Sequence, residues 1–347
     1  MSKGSIFLIG PGFIGGEILS NLLNEGYSKI TVLVRRESAA ASFHQLGITT
    51  TLGTLEDSAV IQTQTALHDI VIHSATADHL PSVQAVLAGI AERAKNGFNT
   101  IYIRTSGASL LGDTAAGEYG SDTIYDDENP AMIDALPETA DHRLMDLAIV
   151  NARARLGDKA KVAIMIPPLI YGVSNRDRRL SIQLPTIVRY SLKHGYAGQI
   201  GKGLSVWNQV HVADLARGYM TLLHWMKQTN ANDVNNNPYW FCENGEELSW
   251  GECSAEIERA LYHAGRIGGP EPKTVAPENY GDLFGENSRS VLGSNSRSRA
   301  NRLRSLGWQP REKRTLESLV EDEIPILLKE TGEWQGYKPE IASRGSR

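Results

Sequence analysis

Cysteine is almost absent from this sequence. Only Cys242 and Cys253 occur in 347 residues, in no metal-ligand spacing. That argues against a disulfide scaffold and a Cys-based zinc site, and for a reducing compartment. A basic surplus is also missing. The formal net charge is −5, with 35 Lys+Arg against 40 Asp+Glu and no basic block. Sequence-independent nucleic-acid binding needs many phosphate contacts, so no nucleic-acid partner is expected. No run approaches the roughly 18 apolar residues of a membrane span. Met1-Ser2-Lys3-Gly4 leads directly into an apolar segment, without a signal-peptide cleavage pattern. The expectation is a soluble, cytoplasmic protein without a membrane partner. No metal site is expected either, because no regular ligand spacing surrounds the acidic run Asp126-Asp127-Glu128.

What is present is ordinary globular composition, 41% apolar with 33 glycines, in a chain long enough to bury a large core. The first half alternates strand-like and helix-like segments. Short apolar runs lie at Ser5–Ile9, Lys29–Val34, Asp69–His73, Thr100–Thr105 and Val162–Ile166, with a further candidate strand at Thr49–Leu52. Helical spacing falls between them, as in Ile18, Leu19, Leu22 and Leu23, at Val83–Lys95, and from about Ala140 to Arg155. This predicts an α/β fold: a doubly wound parallel Rossmann sheet, with its ligand at the carboxyl ends of the strands. After Pro167-Pro168 the pattern becomes mixed, which predicts a smaller α/β substrate domain. The expected division is a nucleotide-binding domain over 1–170, a substrate-binding region over 171–336 and a loose tail over 337–347. Parts of the second region, about 205–235, are expected to return to the first.

Directly after the first strand comes Gly10-Pro11-Gly12-Phe13-Ile14-Gly15. A GxGxxG match alone is weak; its position between a strand and a patterned helix gives it meaning. Gly10 permits a tight turn, Gly12 lets a pyrophosphate approach the backbone, and Gly15 lets helix pack on strand. The amides of Phe13, Ile14 and Gly15 open the helix, where free N–H groups and partial positive charge favour an anion. About 20 residues on stand Arg35, Arg36 and Glu37. An acid at the first position would select NAD(H), whereas Arg35 and Arg36 suit the 2′-phosphate of NADP(H). NADP(H) is therefore the expected cofactor, with NAD(H) favoured only if Glu37 turns inward.

At this point the chain resembles the extended and atypical short-chain dehydrogenase/reductases, particularly epimerase/dehydratase-like and NmrA-like proteins of fungal type. The resemblance covers most of the chain and rests on several segments in order. These are IGPGFIGG, VLVRR, Gly53-Thr54-Leu55-Glu56-Asp57, Ser74-Ala75-Thr76, YIRTSGASLLGD (Tyr102–Asp113), PPLIYG (Pro167–Gly172), VHVADLA (Val210–Ala216) and LGW (Leu306–Trp308). It implies that Thr54 and Leu55 line the adenine side and that Ser74, Ala75, Thr76 and Pro167 also border the cofactor. It further implies a small-molecule substrate, and a second copy of the chain is left open as a partner. Two departures stand out. Thr54 replaces the family's usual Asp, and the family's Tyr-x-x-x-Lys pair is missing. Its slots hold His142 and Asp146, while Gly107 falls at the usual serine position with Thr105, Ser106 and Ser109 around it.

His142 and Asp146 are four residues apart on an expected helix, which would put both on one face. A carboxylate beside an imidazole fixes its tautomer, so His142 is the expected proton donor and Asp146 its orienter, with Ser106 and Thr105 nearby. The alternative is an exposed pair on a helix surface. Arg143 and Arg176 are candidate grips for a substrate anion. Arg176 falls in the Asn175–Arg179 loop, where the family places a substrate cover. Ser109 and Trp207 are candidate pocket residues, Trp207 equally a core residue. Three functions stay open: an NADP(H)-dependent oxidoreductase acting on a carbonyl or imine, a non-redox isomerase, epimerase or cyclase with the cofactor bound, and a non-catalytic NADP(H) sensor.

Overall fold

A computed structural model describes residues 3–269 and 271–338. The alternating half folds as β1 (Ile6–Ile9), α1 (Phe13–Asn24), β2 (Ile30–Val34), α2 (Glu37–His44), β3 (Thr49–Leu52), α3 (Ser58–Leu67), β4 (Ile70–His73), α4 (Leu80–Lys95), β5 (Thr100–Thr105), α5 (Arg143–Leu156) and β6 (Ala160–Ile166). Later come β7 (Leu169–Tyr171), α6 (Gln183–His194), β8 (Val206–His211), α7 (Val212–Gln228), β9 (Tyr239–Phe241), β10 (Glu247–Ser249) and α8 (Trp250–His263). Seven strands form one sheet in the order β9-β6-β5-β4-β1-β2-β3, parallel throughout. The order reverses between β1 and β4, where a doubly wound sheet opens its ligand crevice.

The apolar strands are explained by burial on both faces. Ile6 and Leu8 of β1, Ile70 and Ile72 of β4, and Ala163 and Met165 of β6 join one core with Ile18, Leu19 and Leu22 of α1 and Leu215, Tyr219 and Leu222 of α7. Their alternates Phe7, Ile9, Val71, Val162 and Ile164 face the opposite core, built on Ile61 of α3, Val83 and Val86 of α4 and Ile149 of α5. Each fully buried side chain of this size contributes about 1.5–3 kcal/mol. That second core runs on without a break into the carboxyl-terminal half, through Leu184, Ile187, Trp207, Trp250 and Ile257.

Two parts of the second half serve the sheet directly. Helix α7 packs against α1. Strand β9 adds the seventh strand, with Tyr239, Trp240 and Phe241 opposite Ile164, Met165 and Ile166. Strands β10, β8 and β7 form a separate small sheet beside the crevice. Of the expected tail, the Tyr337 amide donates to the Leu283 carbonyl at 2.8 Å, and residues 339–347 lie outside the described residues. No helix among the described residues is long and apolar enough to cross a membrane.

Candidate active site

The glycine turn closes for steric reasons visible atom by atom. Gly10 has φ +91°, and a Cβ there would lie 2.4 Å from the Ala75 backbone. A Cβ on Gly15 would lie 2.1 Å from the Gly10 carbonyl oxygen and 2.6 Å from Ser74 Oγ. Ser74 Oγ in turn donates to the Gly10 carbonyl at 3.0 Å, tying the end of β4 to the turn. Gly12 differs. The nearest atom to its absent Cβ is Arg179 Nη1 at 3.6 Å, so packing alone does not require glycine there. Its hydrogen atom leaves room above the first turn of α1, which has no side-chain cap for its amides. Such a bare helix start fits a diphosphate.

Around the turn, Arg35 and Arg36 follow β2 on the exposed side, and Arg36 is the N-cap of α2. Glu37 is the exposed first residue of α2, where the helix dipole favours a carboxylate. The Thr54 amide and hydroxyl both donate to Asp57 Oδ2, at 2.6 and 2.8 Å. The backbone hydrogen bond from Thr54 is the main reason that the Asp57 carboxyl lies below its ordinary range. Leu55 follows Thr54 in the same turn. His79 Nε2 lies 2.9 Å from Glu56 Oε1, holding this segment against the start of α4. Thr76 Oγ1 accepts from the Asp78 amide at 3.2 Å.

The corner of the expected catalytic residues differs from its expected pairing. His142 is the N-cap of α5 and has φ +64°, so it stands outside the helix that carries Asp146. The four-residue spacing therefore does not place the two on one helical face. His142 Nδ1 meets Asp78 Oδ1 at 2.5 Å, and Nε2 meets Ser109 Oγ at 2.6 Å. A carboxylate can only accept, so this geometry puts the ring proton on Nδ1 and leaves Nε2 to accept from the Ser109 hydroxyl. Gly107 makes room for the ring, since a Cβ there would lie 3.0 Å from Nε2. The His142 side chain is 15% exposed and that of Asp78 58%.

Asp146 faces the interior instead. It is fully buried and accepts from Arg104 Nη1 at 2.5 Å and Ser106 Oγ at 2.8 Å. Burial pushes its carboxyl upward, and the Arg104 guanidinium is the chief opposing influence. Arg104, equally buried, also donates through Nη2 to the carbonyl of Ala77, the residue before Asp78. Thr105 Oγ1 is 2.5 Å from the Tyr219 hydroxyl inside the core. The Pro167 carbonyl accepts from the Ala108 amide at 3.0 Å, fixing the loop after β5 against the end of β6.

The candidate substrate residues also divide. Ser109 bonds to His142. Arg143 is buried and committed to the Tyr239 hydroxyl and the Asp134 carbonyl, so it offers no grip for a substrate anion. Trp207 is core: its Nε1 donates to the Ser294 carbonyl and its ring packs on Trp250. Arg176 lies over the Phe43 ring of α2, 4.7 Å from its centroid, and its loop is bonded to α1 through Glu17. Among the described residues no His/Cys/Asp/Glu group could hold a metal ion.

Asp78 and Arg104, which bond to His142 and Asp146, are residues that spacing did not single out. Asp78 lies in a loop without periodicity. Arg104 did leave a trace, as the one charge in the otherwise uncharged strand Thr100–Thr105.

Residues 6–236 match the NAD dependent epimerase/dehydratase family. The chain is 28% identical over 324 residues to Oxidase ucsJ of Acremonium sp, covering 88% of this chain and 92% of that one. Among solved structures it is similar to the dTDP-glucose 4,6-dehydratase DesIV from Streptomyces venezuelae with NAD and TYD bound, at TM-score 0.65 and 16% identity, covering 92% and 97% of the two chains. A UDP-glucose 4-epimerase from Thermotoga maritima with UDP-glucose gives TM-score 0.61 at 16% identity, covering 93% and 99%. Sheet order, glycine turn and family match agree, and the chain is a member of the NAD dependent epimerase/dehydratase family: an NAD(P)-binding enzyme on the short-chain dehydrogenase/reductase fold.

Proposed function

We propose that the protein is an NADP(H)-dependent oxidoreductase acting on a carbonyl or imine of a small organic molecule, with Ser109, His142 and Asp78 passing the proton. The observation that carries this reading is the continuous hydrogen-bonded chain Ser109 Oγ–His142 Nε2, Nδ1–Asp78 in the corner where the family keeps its Tyr/Lys pair. The nicotinamide supplies or accepts hydride when bound. In the reducing direction, a protonated His142 gives its Nε2 proton to Ser109 Oγ as that hydroxyl gives its own to the substrate oxygen or nitrogen. In the oxidising direction the same path runs in reverse. Asp78 keeps the ring oriented and offsets its positive charge. Arg104 braces the backbone that carries the relay, gripping Asp146 on α5, which starts next to His142, and the Ala77 carbonyl beside Asp78. A curated relative named an oxidase, at 28% identity, supports redox chemistry. Arg35 and Arg36 at the end of β2 support NADP(H), through charge-assisted bonds to a 2′-phosphate.

The test uses nicotinamide absorbance. NADPH should be consumed as product forms, and His142→Asn should lower kcat by roughly 10²–10⁴-fold while leaving the Kd for NADPH unchanged. Asparagine is chosen because it tolerates the left-handed backbone at this position. Arg35→Ala should erase the preference for NADPH over NADH, and equal wild-type affinities would reject the 2′-phosphate argument. Product formation at constant nicotinamide absorbance would assign the non-redox reaction instead. Dinucleotide binding without turnover of any carbonyl, imine or sugar-nucleotide substrate would assign a sensor.

A further inference from the structure

We infer that Arg179, carried on the Ser174–Arg179 loop of the carboxyl-terminal half, is a ligand for the dinucleotide diphosphate, and that Glu17 and Phe43 hold this loop as a clasp over the start of α1. The inference rests on the dinucleotide reading and adds residues that the glycine motif does not contain.

The loop is a built turn. Val173 and Leu180 bridge its base. The Ser174 amide donates to the Arg179 carbonyl at 2.8 Å, and Ser174 Oγ accepts from the Arg179 amide at 2.9 Å. Arg178 takes φ +53° at the bend. Glu17, a buried acid on the otherwise apolar face of α1, then docks the turn. Its Oε1 accepts from the amides of Asn175 and Arg176, and its Oε2 accepts from Asn175 Nδ2 at 3.2 Å. On the far side the Arg176 guanidinium stacks over Phe43 of α2. The turn is thus fixed to the nucleotide-binding half at two places.

This docking delivers the Arg179 guanidinium to the glycine turn, with Nη1 3.6 Å from the open Cβ position of Gly12. Its charge is poorly neutralised there. Asp177 Oδ2 is 3.6 Å from Nε, beyond hydrogen-bond reach, and the same carboxylate lies 3.7 Å from Arg176 Nε. Arg179 Nε is buried without a hydrogen-bond partner. With Nε unbonded the protein itself does not fix the guanidinium, and its Nη1 edge is left to meet an anion seated on the uncapped amides of α1. An arginine fork matches phosphate oxygens in pairs. Because the loop follows β7 directly, filling the diphosphate site would also draw the carboxyl-terminal half onto the dinucleotide.

The test compares two ligands by calorimetric or fluorescence titration of the full chain. 2′-Phospho-ADP-ribose carries the diphosphate, whereas adenosine 2′-monophosphate carries only the adenosine side with its 2′-phosphate. Arg179→Met should weaken 2′-phospho-ADP-ribose roughly ten- to hundredfold and leave adenosine 2′-monophosphate within about twofold. Glu17→Gln keeps the arginine but loosens the dock, and should weaken 2′-phospho-ADP-ribose by a smaller factor in the same pattern. An Arg179→Met protein that binds 2′-phospho-ADP-ribose as tightly as wild type overturns the clasp while leaving the dinucleotide reading intact. An equal loss for both ligands overturns it as well, since that reports general damage. A wild-type chain that binds neither ligand overturns the dinucleotide reading and the clasp together.

Discussion

Two polar chains of three residues stand side by side at the ends of β4 and β5, and they differ in one respect. Ser109–His142–Asp78 reaches solvent at its carboxylate, whereas Ser106–Asp146–Arg104 is sealed. Both contain a hydroxyl, a carboxylate and a basic group. In the sealed chain each charge is held by its opposite and cannot leave without stranding the other. In the open chain the Asp78 carboxylate is hydrated, and the imidazole between the two oxygens is not locked into a buried ion pair. The comparison teaches that residue types alone do not tell the two chains apart; exposure does, and it is the reason that the proposed relay is assigned to the open one.

The contrast can be broken first from the sealed side. Asp146→Ala leaves Arg104 buried and unpaired, and should cost about 3–5 kcal/mol of stability in urea unfolding. A loss below about 1 kcal/mol would show that the pair does not carry the corner. Asp78→Asn is the matching change on the open side. It should lower kcat by roughly ten- to a hundredfold while leaving the unfolding midpoint nearly unchanged, because the carboxylate at this position is itself hydrated. An unaltered kcat would remove Asp78 from the relay.

His73 sharpens the contrast through pH. It lies beneath the sealed chain with no exposure, and burial pushes its imidazole down to about 3, with Arg104 the next cause. The fold therefore holds His73 neutral, and this contribution to stability is complete above the unfolded value near 6.5. As pH falls from there toward about 3, the unfolded chain gains a proton that the fold refuses. Stability should drop by up to about 1.4 kcal/mol per pH unit in that window, and His73→Phe should flatten the slope. The smallest effect is expected from Gly107→Ala. The new methyl would lie 3.0 Å from His142 Nε2, and the ring must yield by a few tenths of an ångström. A several-fold loss of kcat without a change in melting would place Gly107 in the service of the relay.

Much of this molecule was legible in its sequence. Strands buried on both faces must be apolar runs, so β1, β2, β4, β5 and β6 stand out, and the glycine turn is readable because sterics fix each of its positions. Helices α2 and α3 are less legible, being short and rich in alanine, serine and threonine, with few buried side chains. The candidate catalytic corner was half legible. Its histidine could be placed from the family slots, but the partner could not, because helical spacing assumes that the helix includes both residues. His142 falls one residue before α5, in a left-handed conformation that the sequence does not announce. Asp78 and Arg179 stand in loops, where no period connects them to what they face.

The seventh strand has a consequence for how the chain matures. Tyr239–Phe241 pairs with β6 only after more than seventy residues of intervening polypeptide have been made. Until then the nascent molecule carries an unfinished margin whose free amides and carbonyls invite a foreign strand. Truncation before residue 239 should therefore yield a sticky product that needs a chaperone, even though every glycine of the nucleotide motif would be present.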